Sequence, residues 1–234
     1  MTRAGFGSQG AAKLAADTLR PLVDFLYPPR CPACGAGIGA QGGLCLDCWN
    51  ALQTIGENAE AESAADPIIA AATYCDVSRK LILAFKHGGK ITLAPLLARL
   101  IATRLDEPQP ERLIVPVPLH PLRLWRRGYN QSALLGRELQ RLGYGRLLVD
   151  GLRRVKATPS LDRRGRVERA ALLDGAIRVH SRHHAAFKAR DVLLIDDVLT
   201  TGATSAACAA ALRQAGAARV TVACFARVSS GDGR

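Results

Sequence analysis

Aromatic residues are scarce in this chain, 5% of 234 residues, and there is a single Met. So few rings exclude a long groove that stacks base upon base. Long hydrophobic runs are missing too. The most apolar region, residues 203–226, is broken by Arg213, Gln214 and Arg219, which leaves no stretch of about 20 residues able to cross a bilayer. The N-terminal stretch shows no basic start followed by an unbroken apolar run, since Asp17, Arg20 and Asp24 interrupt it, so a secretory signal is not expected. The seven cysteines are an odd number and do not suggest a disulfide frame. A reduced, cytoplasmic protein is the expectation, its cysteines thiols or metal ligands.

Negative charge is also in short supply. Lys and Arg number 32 against 20 Asp and Glu, a net charge of +12 with a pI near 9.9. That balance points to an anionic partner: nucleic acid, nucleotide, phosphate-bearing metabolite or membrane surface. The excess is local, because residues 112–190 hold 18 Lys/Arg and 5 Asp/Glu. A composition 48% hydrophobic and 22% charged excludes disorder as the default state.

The chain divides by composition into an N-terminal helix (1–28, amphipathic over 11–26 and ended by Pro28-Pro29), a cysteine module (29–53), an acidic small-residue linker (54–67), a main domain (68–228) and a tail (229–234). Within the main domain strands are expected at 68–74, 113–117, 192–195 and 220–225, and helices at 93–101, 131–142 and 203–215. Alternation of this kind defines an α/β fold with a largely parallel sheet flanked by helices.

The module reads CPACGAGIGAQGGLCLDCW, with Cys31 and Cys34 in one CxxC pair and Cys45 and Cys48 in another. Four thiolates in a glycine-rich knuckle form the tetrahedral set that structural Zn²⁺ prefers and leave no open coordination position for catalysis. A redox dithiol would place one CxxC beside a βαβ unit instead. Cys75, Cys208 and Cys224 sit in apolar segments and are expected to be small buried hydrophobes.

One stretch, VLLIDDVLTTGAT at 192–204, ends a central strand on two acids and enters a helix through a threonine-rich loop. Ligands of open α/β sheets bind beyond the strands' carboxyl ends. There Asp196 and Asp197 can accept hydrogen bonds from vicinal hydroxyls, while backbone N–H groups and hydroxyls of the loop suit a phosphate. Together they describe a ribose 5-phosphate. The stretch resembles the phosphoribosyl-pyrophosphate (PRPP) signature of type I phosphoribosyltransferases. That resemblance implies Asp196 and Asp197 on the ribose 2- and 3-hydroxyls and Thr200, Thr201, Gly202, Ala203 and Thr204 around the 5-phosphate. Thr200 stands where purine-salvage members carry an aspartate base, which argues against purine salvage.

The segment VPVPLHPLRLWRRGYNQS at 115–132 carries Arg123, Arg126 and Arg127, read as a loop near strand ends, followed by Asn130 and Gln131 at a helix start. Arginines there suit a pyrophosphate, whose geometry Asn130 or Gln131 can fix. With the cysteine module, KHGG at 86–89 and the PRPP signature, the chain resembles the ComF family of bacterial competence proteins, over about residues 26–227. The resemblance implies a phosphoribosyltransferase-like fold with a zinc knuckle, PRPP carrying Mg²⁺, and a role with incoming single-stranded DNA and the competence machinery. Pyrophosphate would leave C1 of PRPP, its charge met by Arg123, Arg126, Arg127 and Lys86. The sequence names no acceptor; His87 and His120 are candidate bases by position only. Leu161, Ala171 and Leu172 depart from the family pattern, which weakens the acceptor assignment most. The alternative is a non-catalytic module that retains the PRPP pocket and binds single-stranded DNA, with Trp125 and Tyr129 as stacking platforms.

Overall fold

The computed structural model describes residues 26–55, 66–87, 89–156 and 175–228. Almost all of the expected N-terminal helix, most of the expected linker, the tail, and Leu161, Ala171 and Leu172 lie outside the described residues. In chain order the elements are α1 (Leu46–Ala51), β1 (Ile68–Thr73), α2 (Asp76–Lys86), α3 (Ala94–Ala102), β2 (Leu113–Pro116), α4 (Pro121–Arg127), α5 (Gln131–Arg141), β3 (Arg146–Leu147), β4 (Leu152–Arg154), β5 (Ile177–Val179), β6 (Asp191–Leu199), α6 (Ala203–Gln214) and β7 (Arg219–Arg227). A short 3₁₀ turn, Ile91–Leu93, leads into α3, and a longer one, Ser181–Phe187, precedes β6.

Five strands make one sheet in the order β1-β7-β6-β2-β3, every pair parallel. Burial explains the composition of its centre. Along β6, Leu193 and Ile195 join one apolar cluster with Leu97 and Ile101 of α3 and Leu135 and Leu139 of α5. Val192 and Leu194 join a second cluster with Cys208, Ala209 and Leu212 of α6. With helices on both faces, successive residues are apolar although their side chains alternate. The antiparallel pair β4–β5 contributes Leu152 and Ile177 to the α6 side.

Helix α2 was not anticipated from the sequence. Its signal is the spacing of buried Val77, Leu81, Ile82 and Phe85, and its start is fixed by Ser78, whose Oγ accepts from the Cys75 N–H at 2.7 Å. Cys208 and Cys224 are fully buried as expected, but Cys75 is only half-buried, because it caps α2 rather than packing in the sheet. Thr54 and Ile55, expected to open the linker, instead pair with β1. Thr54 bridges Ala72, the Ile55 N–H donates to the Ala71 carbonyl at 3.2 Å, and the Thr73 N–H donates to the Gln53 carbonyl at 2.9 Å.

Candidate ligand cleft and metal centre

The chain reverses its direction of travel across the sheet between β2 and β6: β3 lies outside β2, whereas β7 lies on the far side of β6. Such a switch point leaves a crevice beyond the strands' carboxyl ends. A cleft of about 850 Å³ opens there. Its walls come from the end of α2 (Lys86, His87 and the following Gly89), the segment after β2 (Val117, Leu119), α4, the start of α5, and β6.

Strand β6 is longer than the sequence suggests. The acids were expected just past its end, yet Asp196 still pairs with Cys224 of β7, and the ladder runs on to Leu199 and Arg227. On its other side β6 is alone from Asp196 onward, because β2 stops at Pro116 opposite Ile195. Pro116 and Pro118 have no N–H to extend that ladder, and the last bond is Val117 N–H to the Ile195 carbonyl at 2.9 Å. Both acids therefore enter the cleft from a strand held on one edge only.

Their environments differ. Asp197 is 7% exposed, and its Oδ1 lies 3.1 Å from Lys86 Nζ across the cleft. Asp196 Oδ1 accepts from the Asp197 N–H at 2.9 Å and from Ser132 Oγ at 3.4 Å, while Oδ2 accepts from Ser205 Oγ at 3.4 Å. Burial, and then the charge of Asp197, push the Asp196 carboxyl up to about 7 against the pull of Lys86. Ser132 and Ser205 escaped the sequence reading; each stands at a helix start with no pattern tying it to the acids.

The threonine loop follows β6 directly, and Gly202, with φ of +73°, supplies the left-handed turn that starts α6. Thr200, Thr201, Gly202, Ala203 and Thr204 thus stand next to the acids but are not part of the cleft wall.

Arg123, Arg126 and Arg127 all line the cleft, but not from a loop: they belong to α4, which begins with Pro121 and ends at Gly128 in the left-handed region, φ +79°. Pro121 at the first helical position and the Gly cap are the signals that could have revealed this helix. None of its residues is buried, and Trp125 is 84% exposed. His120 accepts at Nδ1 from the Leu122 N–H and caps α4, while His87 reaches the cleft. Tyr129 is tied to α2: its hydroxyl donates to the Phe85 carbonyl at 2.5 Å, and its ring lies tilted against that of Phe85, the centroids 6.4 Å apart. Asn130 caps α5: its Oδ1 accepts from the Ser132 N–H and its Nδ2 donates to the Val117 carbonyl, both at 3.0 Å.

Cys31, Cys34, Cys45 and Cys48 converge, their four sulfurs within 4.8 Å of one another and Cys34 3.5 Å from Cys45. Sulfurs at about 2.3 Å from a tetrahedral Zn²⁺ stand roughly 3.8 Å apart, so the donor set fits that ion. Burial raises the Cys31 thiol, but backbone hydrogen bonds with Cys45, Cys34 and Ala33 outweigh it and bring the group down to about 6; burial and the neighbouring thiols push Cys48 upward. Four thiolates at this spacing need a shared cation, which a structural zinc would supply.

A parallel α/β domain carrying a four-cysteine zinc site at the edge of its sheet is the class that these features define. Residues 22–77 match the model of the double zinc ribbon domain. Competence protein F of Haemophilus influenzae is 30% identical over 200 residues, 83% of this chain and 82% of that protein. DNA utilization protein YhgH of Escherichia coli K12 is 32% identical over 166 residues, 68% and 71% of the respective chains. The chain belongs to the family of these two proteins, the ComF family. A solved structure described as "Analysis of an invariant aspartic acid in HPRTs-asparagine mutant" overlaps 62% of this chain and 67% of its own at 16% identity and a TM-score of 0.36.

Two outcomes follow from the site. Metal analysis should find one zinc per chain, and chelation should speed hydrogen exchange at the Ile55 and Thr73 amides, which tie the ribbon to β1, before it reaches β6; unchanged exchange in metal-free protein would contradict the ligand set. Asp196, protonated up to about pH 7 when folded against 3.8 as its ordinary value, contributes stability that is full near pH 4 and lost as pH rises through 7. Asp196→Asn should therefore melt above wild type at pH 8, by at least about 2 °C for a chain of this size, and the gap should close toward pH 4. A constant gap across that range would refute the assignment.

Proposed function

We propose that this protein binds a phosphoribosyl donor, PRPP with Mg²⁺, in the cleft between β2 and β6 and transfers the phosphoribosyl group, in the service of DNA uptake or use. The observation that carries this reading is the charge layout: one cleft is lined by a shielded carboxylate pair, by Lys86 paired to Asp197, and by Arg123, Arg126 and Arg127. Asp196 and Asp197 would accept from the ribose hydroxyls, which requires Lys86 to leave Asp197 for the ligand. Thr200, Thr201, Gly202, Ala203 and Thr204 would take the 5-phosphate at the positive end of α6. In this reading residues 68–228 hold the donor and residues 29–53 form the zinc module.

In the transfer step the bond from C1 to the diphosphate oxygen breaks with its electron pair leaving on the diphosphate. The acceptor then bonds to C1 and gives up its proton. Mg²⁺, held mainly by the ligand's own oxygens, would neutralise part of the diphosphate charge. The arginines of α4 stabilise the same developing charge, which is where fixed cations accelerate such a step. The DNA context is supported by the names of the two relatives and by the basic segment 112–190.

PRPP with Mg²⁺ at a hundredfold excess over its Kd should stabilise the protein by about 2.7 kcal/mol, a shift of several degrees in Tm. The Asp196→Asn/Asp197→Asn double variant should show no shift. No shift in the wild type would remove the proposal.

Trp125 supports a second reading, single-stranded DNA binding. An indole 84% exposed on the helix that carries three arginines offers a base a stacking face beside phosphate contacts. Trp125→Ala should then weaken single-strand binding about tenfold. Replacing Arg126 and Arg127 by Ala should flatten the plot of log affinity against log salt by about 1.4. Binding indifferent to salt would rule this reading out.

A further inference from the structure

We infer that Gln131 reads the diphosphate end of the ligand through its side-chain amide, a role the sequence leaves open between Asn130 and Gln131. The name of the ligand rests on the phosphoribosyl-donor reading above; the existence of an oxyanion subsite at this place does not.

Asn130 is held in place by its cap, with both ends of its amide engaged. Its Oδ1 is engaged by the Ser132 N–H and its Nδ2 by the Val117 carbonyl. Gln131 is the opposite case. It lines the cleft, is 1% exposed, and receives one bond, from Arg127 Nη1 to Oε1 at 2.9 Å. Because an arginine can only donate, that bond fixes which end of the amide is oxygen. The remaining end, Nε2, is a buried donor without a partner among the described residues. A buried donor left unpaired is costly to a ligand-free protein, and such groups call for an explanation.

Its surroundings identify what would satisfy it. Gln131 is the first residue of α5, an eleven-residue helix whose opening N–H groups and dipole favour negative charge. Arg127 is bonded to it, and Arg126 lines the same cleft. Donors gather here: the unpartnered amide nitrogen, the helix start and the guanidinium groups. Ribose hydroxyls, which both donate and accept, are better served by the carboxylates Asp196 and Asp197, which line the same cleft. A phosphoryl oxygen only accepts and carries the charge that the helix end and the arginines favour. Since Arg127 is bonded to Gln131, drawing the guanidinium onto a diphosphate would also release Oε1 and let the amide turn toward the ligand. Gln131 is thus a positioning residue for Arg127 and a direct contact for the diphosphate.

The test uses the full chain with zinc and three probes measured by calorimetry: inorganic pyrophosphate, PRPP and ribose 5-phosphate, each with Mg²⁺. Gln131→Met keeps the length and removes the amide; Gln131→Glu keeps the shape and adds negative charge. Gln131→Met should bind pyrophosphate and PRPP about tenfold more weakly, as expected for a lost hydrogen bond to a charged group. It should bind ribose 5-phosphate like wild type and melt no lower without ligand. Gln131→Glu should lose more than Gln131→Met. Wild-type affinity for pyrophosphate in both variants would overturn the inference, as would a wild type that binds none of it. Equal losses for all three probes with a lowered ligand-free Tm would mark Gln131 as structural and overturn it as well. If Gln131→Met loses pyrophosphate while Asp196→Asn/Asp197→Asn leaves PRPP binding intact, the subsite stands and the phosphoribosyl reading falls.

Discussion

The site depends on the unequal length of two neighbouring strands. β6 is held by β7 along its full length, but β2 ends at Pro116, opposite Ile195. The apolar cover that buries the centre of the sheet therefore extends past the last shared rung, and two adjacent carboxylates come to lie where water is excluded on one side and a cleft opens on the other. Like charges in such a place cannot both be comfortable. Lys86 relieves Asp197 at 3.1 Å, and Asp196 keeps its proton to about pH 7. Anything that binds here must meet that balance of charge, and the phosphoribosyl donor proposed above would do so through its hydroxyls.

Much of this was legible in the residues. The unbroken apolar run at 192–195 identified a central strand, and the spacing of the four cysteines identified the zinc set, because each pattern reflects a local requirement: two covered faces in one case, four soft donors in the other. Where the reading missed, the deciding information was tertiary or hidden in a cap. The true end of β6 is set by its pairing with β7, about which 192–204 says nothing. The arginine segment looks like a loop because of its prolines, yet Pro121 sits at the first position of α4, where a missing N–H costs nothing. Asn130 and Gln131 are adjacent amides with similar chemistry; only the fold separates the one engaged at both ends in capping from the one whose amide nitrogen has no partner among the described residues.

The ribbon and the cleft are joined through the backbone. Gln53, Thr54 and Ile55, which follow the last zinc ligand by a few residues, pair with β1; β1 leads into α2 through the Cys75 cap; and α2 delivers Lys86 to Asp197. Zinc held by the four cysteines would therefore be tied to the same segment that positions Lys86 in the cleft, while four thiolates leave it no open position for chemistry.

That pairing has a second effect, on the molecule's behaviour in a crowded solution. A parallel sheet has two open sides, each a template on which a stray strand can build. At the β3 side the strand is only two residues long, and Gln140 Oε1 already takes the Leu147 N–H. The β1 side, six residues of mostly small apolar character, is the vulnerable one, and the segment Gln53 to Ile55, which follows the cysteine knuckle, pairs along it. Scarcity of zinc would then expose a sticky border and turn a folding cofactor into a guard against self-assembly.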